Sequence, residues 1–570
     1  MAVFAEVAAP RRWHLDMSGP VLVAFALFMV ALIGLPLFWL GYYALTNAAG
    51  MGTIANFVTV FTDPGFRGPL LKTLVLALSV SISAVLVAAP FGWLVARTDV
   101  PYAGAIRSLV MASFVTPPFL GAIAWEILAA PNSGILNVMW RNLTGAEMGE
   151  HLFNIYSLPG LAFVITTYTF PFAFVLVANA LDRVPGELED ASSILGGRAW
   201  QTARRITVPL VLPAILAGAL VAFLQAMTLF GSPAILALPA GFHVLTTKIW
   251  SLFQFPPKPH LAAAAAVPLL LVTILLLRAQ ARILGRRSYA VVGGRYGPPR
   301  PVPLGIWRWP AFGICMLLLC LPVFLPYAAL FKAAFTRIPS DPVTIAALTW
   351  KHVDFVFFQF SQTKIALKNT LILAAAAATI GTLIALAAGY MSVRRAIRGH
   401  RWITFLATAP VAIPGIVLGV GLFLAYTRPP FALYGTLWIL LFAYLTIELP
   451  VAFQQIQAAV QSVHPELEEA GRILGATRLR MLRDVTAPLL TSGVIAAWCF
   501  IFIGVMRELS AAIMLFTANT KVISVVIYDL NESGDLGPIS VLGITLLLVS
   551  FVVVGLANRF RAAAPRRLVG

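Results

Sequence analysis

Charge is scarce in this chain. Only 11% of its 570 residues are Asp, Glu, Lys or Arg, and 60% are hydrophobic, where a soluble domain carries about 25% charged residues. That shortage excludes a water-soluble globule. Cysteine is nearly absent: Cys315, Cys320 and Cys499 all fall inside apolar runs. Three such residues exclude a disulfide framework, lack metal-ligand spacing, and read as small packing groups. No Gly-x-x-x-x-Gly-Lys-Ser/Thr occurs, so the chain has no P-loop to cradle a nucleotide phosphate. Outside the apolar runs no pair of carboxylates, histidine cluster or Ser/His/Asp set suggests catalysis. The sequence therefore offers no catalytic residue, no metal site and no cofactor of its own.

What is abundant is long hydrophobic sequence. Mean hydropathy is +0.90, and about 20 apolar residues suffice to cross a bilayer. Twelve runs meet that length, near 20–44, 70–96, 106–129, 157–181, 210–236, 261–280, 309–332, 368–392, 402–427, 432–456, 489–516 and 537–557. The expectation is an all-α polytopic membrane protein with the lipid bilayer as its solvent. Arg11 and Arg12 precede a first run too long for the core of a cleaved signal, so it reads as a retained span. The net charge of +18 would suit a nucleic acid, but the basic residues sit in short loops, as membrane orientation demands. With both termini in the cytoplasm, the segments on that side hold 27 of the 40 Lys and Arg.

One stretch occurs twice. Residues 187–209 read ELEDASSILGGRAWQTARRITVP, and residues 466–488 read ELEEAGRILGATRLRMLRDVTAP. The offset is 279 throughout. Each copy begins with carboxylates suited to the positive end of a helix dipole: Glu187, Glu189 and Asp190, then Glu466, Glu468 and Glu469. Ala191 and Ala470 follow. Gly196 and Gly475 can adopt the left-handed conformation that closes a helix, and a basic amphipathic stretch then enters the next apolar run. Lys72-Thr73-Leu74 through Arg97 matches Asn369-Thr370-Leu371 through Arg394 at an offset of 297, as Pro117 matches Pro414. The first half thus carries 18 extra residues, expected in the loop near 131–156 with Trp140, Glu147, Glu150 and His151. The units expected are residues 1–280 and 309–570, two parallel repeats of six helices. Residues 281–308, rich in Arg, Gly and Pro, read as a solvated cytoplasmic tether between them.

The doubled stretch resembles the EAA loop of importer-type ABC transporter permeases, in which Glu-Ala-Ala precedes a Gly and then Ile-x-Leu-Pro. Here Asp190-Ala191-Ser192, Gly196 and Ile206-Thr207-Val208-Pro209 stand in those places, and in the second copy Glu469-Ala470-Gly471, Gly475 and Val485-Thr486-Ala487-Pro488. The resemblance implies a permease in a bacterial inner membrane whose two loops each engage a cytoplasmic ABC ATPase, in two copies. ATP and Mg would be held by that partner, and a periplasmic solute-binding protein would deliver the cargo. The ATPase-coupling residues implied are Glu187, Glu189, Asp190, Ala191, Gly196, Glu466, Glu468, Glu469, Ala470 and Gly475. A single chain fusing two permease units resembles the ferric-iron permeases, and the 505–530 segment resembles the ferric-iron or aminoethylphosphonate branch. Thiamine and polyamines remain alternative cargoes.

The rival reading is a proton-coupled secondary transporter with six-plus-six repeats. It would need a relay of ionisable groups within the spans, and only Glu126, Glu448, Arg507 and Glu508 lie near membrane depth. All seven histidines (14, 151, 243, 260, 352, 400 and 464) fall in loops or span ends. At an offset of 279, Arg507 and Glu508 stand opposite Thr228 and Leu229, so their charges belong to the second half alone. They are candidates for the translocation path. As neighbours on one helix they would point about 100° apart and need separate partners.

Overall fold

The computed structural model describes residues 18–286, 301–340, 344, 347–473, 480 and 482–563. Among them the only regular elements are helices, with a few isolated β-bridges. Ten helices are long and apolar enough to cross a bilayer, and two bent pairs bring the number of spans to twelve. The first repeat supplies spans 1 (Gly19–Ala44), 2 (Pro64–Arg97), 3 (Ala103–Val115 with Pro118–Ala129), 4 (Leu158–Asp182), 5 (Trp200–Thr228) and 6 (Pro259–Arg282). The second supplies spans 7 (Gly305–Phe335), 8 (Ser361–Val393), 9 (His400–Ala412 with Gly415–Tyr426), 10 (Leu437–Ser462), 11 (Arg483–Arg507) and 12 (Leu536–Ala557).

Four expected runs are not single helices. Spans 3 and 9 bend by 96° and 103° at Pro117-Pro118 and Pro414. Proline lacks a donor and pushes the preceding residue out of the helical region, and Thr116 (ψ 124°) and Ile413 (ψ 112°) are extended. The runs 210–236 and 489–516 stop at Thr228 and Arg507, where Leu229 (ψ 131°) and Glu508 (ψ 120°) turn away. Short helices continue from each, Gly231–Leu236 with Leu245–Ser251 and Ala512–Leu515 with Ile523–Glu532. Backbone outside a helix at this depth must find partners within the protein. Here hydroxyls supply them: Thr246 Oγ1 donates to Leu229 O (3.0 Å), Ser524 Oγ to Glu508 O (2.8 Å) and Ser232 Oγ to Pro118 O (2.8 Å). The hydroxyls of the matched pair Thr73 and Thr370 accept from Leu245 N (2.7 Å) and Ile523 N (2.9 Å).

The repeats interlock through their first spans. Span 7 buries Ala311, Cys315 and Leu319, one helical stripe, among Phe91, Phe170 and Phe174 of the first repeat. Tyr327 OH meets Thr116 Oγ1 at 2.6 Å. In return span 1 lies on span 9, where Tyr426 OH donates to Ala31 O at 2.6 Å. Gly421 is obliged to be glycine there, because a Cβ would stand 2.9 Å from Pro36 O. Both first spans widen into one π-helical turn, Val30–Gly34 and Cys320–Phe324, just before Pro36 and Pro326, where the ladder loses a donor. The 18 additional residues lie between spans 3 and 4. There 28 residues separate Ala129 from Leu158, against 10 between Tyr426 and Leu437. Buried Asn137 organises that loop, donating to Ala130 O (2.9 Å) and Phe153 O (2.8 Å) and accepting from Leu152 N and Phe153 N (both 2.9 Å).

Candidate functional site

Each doubled stretch forms a short helix outside the spans, Gly186–Ile194 and Pro465–Ile473. Pro185 precedes the first and Pro465 opens the second, where a missing N–H costs nothing. Gly196 has φ +79°, the left-handed turn expected there, and nothing stands within 4 Å of its would-be Cβ. Gly475 lies outside the described residues. Beyond the elbow both copies make one π-helical turn, Ala203–Thr207 and Leu482–Thr486, at the same offset of 279, ahead of Pro209 and Pro488.

The carboxylates divide into two kinds. Glu189 turns inward and forms an ion pair with the fully buried guanidinium of Arg97, at the end of span 2. Arg97 Nη1 also donates to Val184 O (3.2 Å), and Thr207 Oγ1 donates to Glu189 Oε1 (2.9 Å). The second repeat reproduces the set. Arg394 Nε donates to Glu468 Oε1 (3.0 Å) and Nη2 to Val463 O (2.8 Å), while Thr486 Oγ1 (3.4 Å) and Tyr390 OH (3.1 Å) also reach Glu468. In each repeat the carboxylate meets the guanidinium's charge and a backbone carbonyl accepts from one of its donors, which offsets the cost of burying it, so each arginine fixes its helix to a span. Glu189 and Glu468, two of the implied ATPase-coupling residues, turn inward and anchor their helices. Glu187, Ala191, Glu466, Glu469 and Ala470 are exposed and Asp190 is half-buried.

A second site lies between the repeats. A cavity of ≈ 310 Å³ is lined by Gln225 and Thr228 of span 5, Gln280 of span 6, Gly415 at the break of span 9, and Glu508 and Ser510. Glu508 Oε1 accepts from Ala511 N at 2.8 Å, and a Cβ on Gly415 would stand 3.3 Å from the same oxygen. Because span 11 stops at Arg507, the two charges do not share a helical face. Arg507 instead lies over the Phe114 ring of the first repeat, 4.8 Å from its centroid, a favourable seat for a guanidinium. Glu448 packs against Gly504, near Arg507 and Glu508. Elsewhere between the repeats Tyr528 meets Phe230 (6.1 Å between centroids) and Trp250 (5.8 Å). Among the described residues no group of three or more His, Cys, Asp or Glu is placed to hold a metal ion.

The pattern for the "Binding-protein-dependent transport system inner membrane component" family matches residues 88–288 and again residues 379–564. The chain belongs to this family. The permease is 27% identical over 447 residues to the ferric transport system permease protein FbpB of Actinobacillus pleuropneumoniae, covering 77% of this chain and 63% of that protein. Over 535 residues it is 23% identical to the Fe(3+)-transport system permease protein FbpB 2 of Haemophilus influenzae, covering 93% and 97%. The chain thus spans just under two thirds of the first relative and nearly all of the second. A putative 2-aminoethylphosphonate transport system permease protein, PhnV of Salmonella typhimurium, is 26% identical over 158 residues, 28% of this permease and 60% of that one. A crystal structure of a bacterial alginate ABC transporter with its periplasmic protein overlays 44% of this permease and 93% of the matched chain, with 20% identity and a TM-score of 0.37.

Reading the doubled stretch for charge missed the apolar face of the two loop helices. Ile194 and Ile473 are 84% and 85% exposed, Leu195 at the end of the first helix is 87% exposed, and Leu188 and Leu467 are also exposed. Such residues on a helix with no membrane span of its own form a ready-made contact for a partner. The signal was in the sequence, since Leu188/Leu467 and Ile194/Ile473 share the offset of 279.

Proposed function

We propose that this permease is the membrane part of an ATP-driven importer that takes ferric iron from a solute-binding protein and passes it between its repeats. The observation that carries the reading is the pair of exposed helices, each presenting Leu, Ala and Ile outward and each fixed to a span by an arginine paired to its inward glutamate. Two copies of a separate ABC ATPase would grip one helix each, hydrolysing ATP with Mg in their own sites. Rigid attachment through Arg97 and Arg394 passes their movement to spans 2 and 8 and rocks the repeats about the cavity. The coupling helices and both termini would then face the cytoplasm of a bacterial cell, with the binding protein docking at the opposite end of the bundle. Glu508 would line the path, its single carboxylate attracting a cation without trapping it.

Ferric iron is supported by the FbpB relatives, one of them matched along nearly its full length. The PhnV relatives favour aminoethylphosphonate as a second reading, over a much shorter match. Uptake of labelled iron and labelled aminoethylphosphonate by a deletion strain, before and after complementation, decides between them. Restored iron uptake that survives an uncoupler but not ATP depletion is the expected result. Restoration of phosphonate uptake alone overturns the cargo, and collapse with the uncoupler alone overturns the energy source. In spheroplasts an impermeant thiol reagent should label a cysteine at Asn132 and not one at Ser288; the reverse pattern overturns the orientation.

A further inference from the structure

The segment joining the repeats was expected to be a solvated tether, yet its end is paired to the first repeat. Val302 N donates to Arg97 O at 2.7 Å, and Asp99 N donates to Val302 O at 3.3 Å. Leu304 N donates to Asp99 Oδ1 at 2.8 Å, and Thr98 and Val302 form a parallel β-bridge. The residue that receives the shortest of these bonds is Arg97, whose guanidinium grips Glu189 of the first coupling helix. A cavity of ≈ 360 Å³ lies between this segment and that helix, lined by Pro301, Val302 and Pro303 and by Gly186, Glu189 and Asp190. From Leu304 the chain passes through Gly305, at φ +56°, into span 7, which is buried against the first repeat.

We propose that residues 301–304 are a brace for the first coupling helix: by fixing the backbone of Arg97 they hold its side chain in the position that grips Glu189, and they join that helix to span 7 as well as to span 2. Val302 and Asp99 are positioning residues in this device. An arginine aimed from the last turn of a helix depends on its backbone staying in place, because a helix end frays unless its terminal carbonyls are met. Val302 N meets the terminal carbonyl of span 2. The joining segment then does two separable things, connecting the repeats through residues 287–300 and bracing the coupling helix through residues 301–304.

The brace rests on the coupling role proposed above for its effect on transport, but its mechanical part can be read without any partner. Hydrogen exchange of the full chain in nanodiscs is compared at 186–194 and at 465–473. Val302→Pro removes the N–H that meets Arg97 and sets the ring Cδ against that carbonyl, and Val302→Ile retains the N–H. The expected result is exchange about five-fold faster at 186–194 in V302P, the weight of one hydrogen bond. Exchange at 465–473 should be unchanged, V302I should match the unmodified protein, and Asp99→Ala should shift the same way as V302P. Cutting the chain at a protease site placed within 287–300 should leave 186–194 unchanged. Equal acceleration of both helices, no acceleration in V302P, or loosening by the cut alone would each overturn the brace. In proteoliposomes with the ATPase and binding protein, V302P should lower cargo moved per ATP at least two-fold while V302I does not. An unchanged ratio beside faster exchange overturns the brace's part in coupling. Failure of the unmodified protein to import at all would bear on the proposed function and leave the exchange result standing.

Discussion

Arg394 holds Glu468 at 3.0 Å, and the same two residue types meet in the first repeat as Arg97 and Glu189. The arginines are 297 residues apart and the glutamates 279, yet each pair closes at the same corner of its repeat. Two loops of different ancestry would have no reason to share this inward carboxylate. Its preservation through duplication ties the outward apolar face to the end of a span.

Removing one member of such a pair leaves the other buried without compensation, at roughly 3–5 kcal/mol. Glu189→Ala should therefore destabilise the protein by about that much, with Glu468→Ala at the lower end because its pair is less deeply buried. The double substitution Arg97→Ala/Glu189→Ala should recover part of the loss. Thermal unfolding in nanodiscs measures this, and a double variant no more stable than Glu189→Ala alone would show that the pairing is not the source.

At Gly196 the penalty comes from the backbone alone, since nothing crowds its would-be Cβ. Gly196→Val at φ +79° should cost about 1–2 kcal/mol and redirect the helix, giving an inserted protein that binds its ATPase poorly. Asparagine tolerates left-handed backbone, so Gly196→Asn should keep most binding. Co-purification of the ATPase with each variant checks the order; equal binding by Val and Asn would remove the elbow.

Glu508 keeps its backbone partner if the carboxylate becomes an amide, because an amide oxygen can still accept from Ala511 N. Glu508→Gln should accordingly express and bind the ATPase as before while iron uptake falls several-fold, with Glu508→Asp intermediate. Normal uptake by Glu508→Gln would exclude a role for its charge in the path.

The helical class, the two repeats and the elbow at Gly196 were legible because each is written in local pattern: run length, a constant offset, and a glycine between acidic and basic turns. The Thr73/Thr370 match was visible too, though not that each hydroxyl caps a short helix 153 to 172 residues further on. Hydropathy could not show the breaks at Pro117 and Pro414, nor the stops at Thr228 and Arg507, because buried non-helical backbone is as apolar as helix when hydroxyls satisfy it. Glu189 could not be told from Glu187 by type. Only the position of Arg97, 92 residues away, decides which carboxylate turns in. The brace at Val302 was hidden for a similar reason, since backbone pairing leaves almost no trace in side-chain identity between two prolines.

The exchange of first spans sets an order for biogenesis. When the ribosome has released only the first repeat, the cluster of Phe91, Phe170 and Phe174 lacks the part of its cover that belongs to span 7. Span 1 likewise has no Tyr426 to receive until span 9 has been inserted. Neither repeat has its full set of packing partners until the other is in place. Joining the repeats in one polypeptide keeps the waiting surfaces from meeting those of another molecule first.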